Sequence, residues 1–212
     1  MGDIRLMPHR AKTKYPVILV HGYYATRATN APIERFLKGK GFRVFDVNLP
    51  GLNWQDMRKS SLIVARRVEE VKRETGADKI VLVGISMGGL IALHYVRKRG
   101  GAAHVRRCIS LGSPLNGTPL APLGQLISGF QAEAGRQIAA NSDFIQELHA
   151  GPHEPCEIVS IGAVGDPMVP ERSFSIPGAT NVLSPHGVWP AGHYSLVLDR
   201  RNMQLLLEHL PE

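Results

Sequence analysis

Residues 84–88 have the sequence Gly-Ile-Ser-Met-Gly and form a G-x-S-x-G motif centred on Ser86. In such a motif the serine lies on a sharp turn between a strand and a helix, and its hydroxyl is exposed at the end of a sheet. The flanking sequence fits this context, because the uncharged run 80–83 is typical of a buried strand and residues 90–95 are compatible with a helix. The motif therefore favours a nucleophilic serine over a passive residue in a glycine-rich turn.

A serine hydroxyl is too weak an acid to attack an ester unaided, so a base must accept its proton and a carboxylate must orient that base. The chain has 9 histidines as candidates. We favour His193, because it follows the last predicted strand and immediately precedes the closing helix, and His186 in the same loop is the alternative. His21 lies close to the motif, but we expect it to stabilise its own loop by hydrogen bonding.

For the carboxylate we favour Asp166, which comes just after the fifth predicted strand, at the sheet edge that carries Ser86. Glu171 lies further from that strand end, and Asp199 falls within the predicted last helix. An ordinary turn aspartate is the alternative interpretation of Asp166.

Short apolar runs alternate along the chain with longer amphipathic segments, a pattern typical of parallel strands joined by helices. The predicted strands are 17–20, 42–47, 79–83, 105–111, 157–161 and, as the weakest, 180–183. The predicted helices are 31–40, 56–75, 87–99, 138–148 and a last helix that carries Met203, Leu206, Leu207 and Leu210. We therefore expect an α/β fold with about six mostly parallel strands, flanked by helices on both faces, in one domain over residues 1–212.

Composition and charge limit the classes of partner that we expect. The net charge is +7, but the basic residues of the predicted helix 56–75 are interleaved with glutamates, so we interpret them as solvated surface and expect no nucleic-acid partner. The uncharged windows 80–96 and 108–132 contain glycines or prolines, so no integral membrane segment is expected. Cys108 and Cys156 are expected to be free thiols. With no secretory signal recognised, cytoplasmic location and a monomer are the default expectations, although a removed leader would leave the same sequence.

Several segments together resemble the α/β-hydrolase superfamily, and within it the small lidless bacterial lipases and esterases. The resemblance covers residues 15–210. Besides the motif at Ser86, His21-Gly22 is similar to the family's HG motif, Leu111-Gly112-Ser113-Pro114 to the segment after the next strand, and residues 141–148 to a helix start of this lipase group. Asp166 and His193 lie where the family places the acid and the histidine of its triad.

The resemblance implies a serine hydrolase that cleaves carboxylic esters, with acylglycerols or other lipid esters as the leading substrates, through an acyl-enzyme on Ser86. It also implies an oxyanion hole formed by the backbone N–H groups of Tyr23 and Met87. No cofactor is implied, and no metal-binding spacing is present. Besides Tyr23, the expected walls of the acyl pocket are Tyr24, Leu115, Leu120, Val188 and Trp189.

Some features depart from the family pattern. Many relatives have His or Tyr before the nucleophile, where this chain has Ile85, and residues 1–14 leave little room for the two strands with which the fold usually begins. A minimal six-stranded sheet is therefore expected. Residues 113–137 could form at most a short flap, so we expect an open site without interfacial activation. An acyltransferase or amidase with the same triad is the alternative function, followed by a non-catalytic binding protein, which would normally show a broken triad.

Overall fold

The computed structural model describes residues 15–119, 133–153, 155–187 and 192–211. The strands are β1 Val17–Val20, β2 Val44–Asp46, β3 Ile80–Ile85, β4 Val105–Leu111, β5 Glu157–Ala163 and β6 Thr180–Ser184. The helices are α1 Ala31–Gly39, α2 Met57–Thr75, α3 Met87–Lys98, α4 Glu133–Gln137, α5 Asp143–His149, α6 Glu171–Phe174, α7 Gly192–Leu198 and α8 Arg200–Glu208, with short 3₁₀ turns at Arg27–Asn30 and Gly101–Ala103.

The described strands form one six-stranded parallel sheet in the order β2-β1-β3-β4-β5-β6. Gly84 of β3 pairs with Val20 of β1 on one side and with Ser110 of β4 on the other. The strands that precede Ser86 and its neighbouring loops are therefore in register, and their carboxyl ends lie at one edge of the sheet. The predicted fold class is confirmed.

Alternate residues of the central strands enter two separate cores, because successive side chains of a strand point to opposite faces. Ile18 and Leu82 pack in one core with residues of α2, α3 and α5. Leu19 and Val83 pack in the other core with residues of α1, α7 and α8. Burial on both faces explains why these strands read as continuous apolar runs in the sequence.

Two of the predicted helices differ from the observed ones by more than one residue. The helix predicted over 138–148 begins only at Asp143, because Asn141 has a left-handed φ of 66° and the Ser142 hydroxyl caps the helix by accepting from the Ile145 N–H at 3.3 Å. The predicted last helix is two helices, because the Asp199 carboxylate accepts from the Arg201 N–H at 2.8 Å and starts α8. Asp199 is thus a helix cap and not an interior residue.

Cys108 is buried within β4 and Cys156 lies half-buried just before β5, and both are free thiols. Burial raises the pKa of the Cys108 thiol far above its ordinary value, so the thiol is protonated and behaves as a small apolar group. Among the described helices, none combines the length and the apolar character needed to cross a bilayer.

Candidate active site

Ser86 lies on the sharp turn between β3 and α3, with a φ of 54° and a ψ of −128°. This backbone conformation is sparsely populated for residues other than glycine and costs about 1–3 kcal/mol, so the surroundings must enforce it. The Ser86 N–H donates to the Leu111 carbonyl at 2.8 Å, and the Ser86 carbonyl accepts from the Gly89 N–H at 3.0 Å. The turn thus places the hydroxyl-bearing residue at the amino end of α3.

The glycines around Ser86 are required by space. A Cβ on Gly84 would lie 2.4 Å from the Gly89 backbone, and a Cβ on Gly88 would lie 2.1 Å from the Val20 carbonyl oxygen. A Cβ on Gly89 would lie 2.0 Å from the Ser113 hydroxyl oxygen. None of the three glycines has a left-handed backbone. The motif therefore needs glycine because the first turn of α3 packs directly on the central strands.

His193 and Asp166 meet at this edge, although 27 residues separate them. His193 Nδ1 lies 2.8 Å from Asp166 Oδ2, with the imidazole 11% exposed and the carboxylate fully buried. The other oxygen, Oδ1, accepts from the backbone N–H groups of Met168 at 2.8 Å and Val169 at 3.0 Å. With the carboxylate held by three hydrogen bonds, the Nδ1 side of the ring is committed to Asp166, which leaves Nε2 to exchange a proton with another group.

Two further glycines make room for this pair. A Cβ on Gly192 would lie 2.6 Å from the Gly165 carbonyl oxygen, so only glycine lets the start of α7 approach the loop that carries Asp166. A Cβ on Gly112 would lie 3.3 Å from the His193 ring. His193 itself lies in the first turn of α7, and not before a helix as the sequence suggests.

The alternative base and acids do not reach this arrangement. His186 lines a separate cleft between α1 and α8. The pKa of Asp199 is lowered to about 2, first by the side-chain hydrogen bond from Arg201, so its charge is engaged at the start of α8. Glu171 is exposed at the start of α6. Of the sequence candidates, His193 and Asp166 are in contact, and His193 lines one cavity with Ser86.

A cavity of about 310 Å³ opens on Ser86. Its lining is largely apolar and consists of Gly22, Tyr23, Tyr24, Ala25, Thr29, Ile85, Ser86, Leu111, Met168, His193, Tyr194 and Val197. A larger cleft of about 630 Å³ lies at the amino edge of the sheet, where Arg106 and Arg107 form ion pairs with Glu157, so volume alone does not identify the site.

Only some of the residues expected as pocket walls line this cavity. Tyr24 lines the cavity and is 42% exposed. The expectation that Leu115 is a pocket wall is wrong, because Leu115 is 1% exposed and packs in the core with α3 and α5, where no substrate can touch it. Leu120, Val188 and Trp189 lie outside the described residues. Sequence reasoning missed Met168, Val197 and Tyr194 as wall residues, although the neighbourhood of Asp166 and His193 along the chain is a signal that could have suggested them.

Two backbone segments flank Ser86 as an oxyanion hole would require. Met87 is the first residue of α3, and the N–H groups of a first helical turn have no acceptor within the helix. Tyr23 lies in the turn after β1 and lines the same cavity. A Cβ on the preceding residue, Gly22, would lie 3.0 Å from Ser86 Cβ, so this turn approaches the serine closely. Within the described ranges, no three His, Cys, Asp or Glu side chains converge as a metal site would need.

A family model described as the alpha/beta hydrolase fold matches residues 15–145. The chain therefore belongs to the α/β-hydrolase fold family, as its sheet order and strand-turn-helix motif indicate. The sequence expectation of a lipase- or esterase-type member of this family agrees with its relatives.

Two proteins named triacylglycerol lipase, from Pseudarthrobacter phenanthrenivorans and Burkholderia plantarii, are each 38% identical to this chain over 89 residues. The match covers 38% of this chain and 27% and 24% of the two lipases, so the matched segment spans only about a quarter of the length of these relatives.

Solved lipases share the whole fold. The mature Bacillus licheniformis lipase BlEst2 superposes with a TM-score of 0.81 at 18% identity, over 97% of this chain and 96% of that one. Aspergillus fumigatus lipase B superposes with a TM-score of 0.74 at 19% identity, over 94% of this chain and 52% of that one. At such identities the likeness establishes the architecture alone.

Proposed function

We propose that this protein is a serine hydrolase that cleaves carboxylic esters through an acyl-enzyme on Ser86. The observation that carries the proposal is the 2.8 Å contact between His193 Nδ1 and the buried Asp166 carboxylate, at the cavity that Ser86 and His193 both line. A contact between His and Asp that served stability alone would not need to open on a strained serine.

In the proposed reaction, Ser86 Oγ attacks the ester carbonyl carbon while its proton passes to His193 Nε2. The carbonyl oxygen becomes an oxyanion, which the N–H groups of Tyr23 and Met87 stabilise. The tetrahedral intermediate collapses as the C–O bond to the alcohol breaks and His193 protonates the leaving alkoxide. A water molecule then loses a proton to His193 and attacks the acyl-enzyme, which releases the carboxylic acid and restores the Ser86 hydroxyl. Asp166 stabilises the imidazolium in both halves.

The walls of the cavity support an apolar acyl group as substrate. Ile85, Leu111 and Val197 line it, and a volume of about 310 Å³ suits a short or medium acyl chain. Acylglycerols and other lipid esters are the leading natural class, because the relatives matched in sequence are named triacylglycerol lipases.

The proposal is tested with a fluorophosphonate probe and a panel of p-nitrophenyl esters of graded acyl length. We expect stoichiometric labelling of Ser86, located by mass spectrometry, and turnover that is highest for short or medium chains and saturates smoothly with substrate. His193→Ala should abolish labelling, and the matched variant His186→Ala should retain it. Absence of both labelling and turnover in the purified protein would overturn the proposal. A sharp rise in rate when ester droplets first form would contradict the expected open site.

A further inference from the structure

The turn that carries Tyr23 is held from behind by the side chain of Asn53, a residue that lies 30 positions further along the chain. Asn53 is fully buried in the loop between β2 and α2. Its Nδ2 donates to the His21 carbonyl at 3.0 Å and to the Gly22 carbonyl at 3.2 Å. Its Oδ1 accepts from the Ser60 hydroxyl at 3.5 Å. Because only the NH₂ group can donate to two carbonyls, these contacts also determine the orientation of the amide.

We propose that Asn53 is the positioning residue of the oxyanion hole, and that its amide sets the direction in which the Tyr23 N–H points. This role rests on the proposed function of Ser86 and Tyr23. The Gly22 carbonyl and the Tyr23 N–H belong to one peptide unit, which is planar and trans. In such a unit the C=O and the N–H point in opposite directions. A hydrogen bond that holds the Gly22 oxygen toward Asn53 therefore aims the Tyr23 N–H away from Asn53.

The same hydrogen bond has an electronic consequence. A carbonyl that accepts a hydrogen bond polarises its peptide unit, so the N–H at the other end becomes a stronger donor. Both effects act on the Tyr23 N–H, one of the two donors proposed to stabilise the developing negative charge. The imidazole of His21 contacts the same Gly22 carbonyl through Nδ1 at 3.2 Å, but it belongs to the turn itself, whereas Asn53 holds the turn from another loop.

The loop that carries Asn53 is rigid enough to serve as a support. Asn53 has a left-handed φ of 57°, a conformation that asparagine tolerates better than most residues, and it is followed by the capped start of α2. Gln137 of α4 accepts from the Met57 N–H at 2.7 Å and donates to the Asp56 carboxylate at 2.7 Å. The next residue, Trp54, places its ring 5.8 Å from the Tyr24 ring, which adds a second contact between the two loops.

The test compares Asn53→Asp with wild type. The carboxylate has nearly the same shape, but it would face the two carbonyls with an acceptor, so the Tyr23 peptide should rotate. We expect kcat for a short p-nitrophenyl ester to fall about 10- to 100-fold with KM changed less than about threefold, because the lost interaction forms only in the transition state. The affinity for phenylboronic acid, which forms a tetrahedral adduct on Ser86, should fall by a similar factor.

Asn53→Gly provides a second variant, since it keeps the left-handed backbone without the amide, and it should show the same loss if Asn53→Asp fails to fold. Asn141→Asp and Asn141→Gly are matched controls, because Asn141 is also left-handed, with a φ of 66°, but is exposed and lies at the start of α5. A lowered melting temperature with unchanged kcat and boronate affinity in folded Asn53 variants would show a structural role only and overturn the inference. Wild type without ester hydrolysis or phosphonate labelling would instead overturn the proposed function together with this role.

Discussion

Two groupings of a serine, a histidine and a carboxylate lie within the described residues, and they differ in which side chains are buried. At the carboxyl edge of the sheet, Asp166 is fully buried, and His193 and Ser86 open on a cavity. In the core between α2, α3 and α5, Ser61 Oγ lies 2.9 Å from His94 Nδ1, and His94 Nε2 lies 3.1 Å from the Glu147 carboxylate. There the serine and the histidine are fully buried, and it is the carboxylate that is 37% exposed.

The backbone around each serine explains the difference. Ser61 lies inside α2, where its hydroxyl contacts both the Arg58 carbonyl at 2.7 Å and His94 Nδ1 at 2.9 Å, so the hydroxyl is enclosed by groups of the core. Ser86 lies at the start of α3 on a strained turn, where helix N–H groups are available to an incoming anion. The comparison teaches that residue types and hydrogen-bond distances do not define a hydrolytic site. Access, backbone position and burial of the acid distinguish the grouping for which we propose a reaction from the one in the core.

The core grouping has a packing role instead. The ring of His94 stacks on Phe144 with centroids 5.1 Å apart, and Arg58 donates to Glu147 at 2.6 Å while lying over the same Phe144 ring. These contacts join three helices that cover one face of the sheet. We therefore expect substitutions in the core grouping to change stability and those at the sheet edge to change catalysis.

The largest expected effect separates the two serines. Ser86→Ala should lower kcat/KM for a short ester by roughly 10⁴- to 10⁶-fold, because it removes the nucleophile of residues that act as a unit. Ser61→Ala should keep kcat/KM of the folded protein within about threefold, the level of a change outside the reacting groups. Steady-state kinetics with circular dichroism as a check of folding measures both. Unchanged turnover in Ser86→Ala would end the assignment.

The second largest expected effect separates the two carboxylates by their influence on kcat. Asp166→Asn should lower kcat by about 10³- to 10⁴-fold, because the amide oxygen would keep the Met168 and Val169 N–H groups and the NH₂ group would face His193 Nδ1, which favours the wrong tautomer. Glu147→Gln, the matched change in the core, should leave kcat close to that of wild type. Equal losses of kcat in the two variants would show that the core grouping is coupled to the reaction. This result would contradict the packing role of that grouping.

For the two histidines, we expect the larger loss of stability in the core grouping and the larger loss of catalysis at the sheet edge. His94→Gln should lower the free energy of unfolding by about 1–3 kcal/mol, because buried polar partners lose their hydrogen bonds, with kcat of the folded protein retained. His193→Gln should lower kcat strongly with a smaller change in stability, since its ring lies at the cavity. Urea titration followed by tryptophan fluorescence gives the unfolding free energies. A more stable His94→Gln protein would contradict the packing role.

The smallest expected effect is on the pH dependence of stability. Burial lowers the pKa of His94, and the hydrogen bond to Glu147 offsets only part of this effect. A histidine with a lower pKa in the folded state binds its proton better in the unfolded chain, so stability falls as the pH drops below about 6.5. Burial lowers the pKa values of His21 and His149 in the same way.

The melting temperature should therefore decrease between about pH 7.5 and 5.5, on either side of the histidine range. The decrease should be smaller in His94→Gln than in wild type, because one of the contributing groups is gone. Ser61→Ala keeps the imidazole and serves as the control with an undiminished decrease. The same decrease in wild type and His94→Gln would show that His94 does not contribute.

Most of the sheet was predictable, because buried parallel strands are continuous apolar runs, and all six predicted strands overlap the observed ones. The ends of the helices were less predictable. A cap such as Ser142 or Asp199 looks like any polar residue until the chain on both sides has a conformation. Leu115 was misplaced for a related reason: an apolar residue near the motif can face either the cavity or the core, and only packing decides which.

The sequence by itself determined the strand-turn-helix motif at Ser86, because its glycines and apolar run act over a few neighbouring residues. The order of Asp166 and His193 along the chain is likewise given by the sequence. Parallel strands bring the loops that follow them to one edge, so both residues could be placed at the edge that carries Ser86. Only the tertiary structure decided that Ser61, His94 and Glu147 form a second grouping, and that Asn53 supports the turn at Gly22. Those contacts join residues 30 or more positions apart, and their geometry depends on how helices and loops pack, which no local pattern of residue types records.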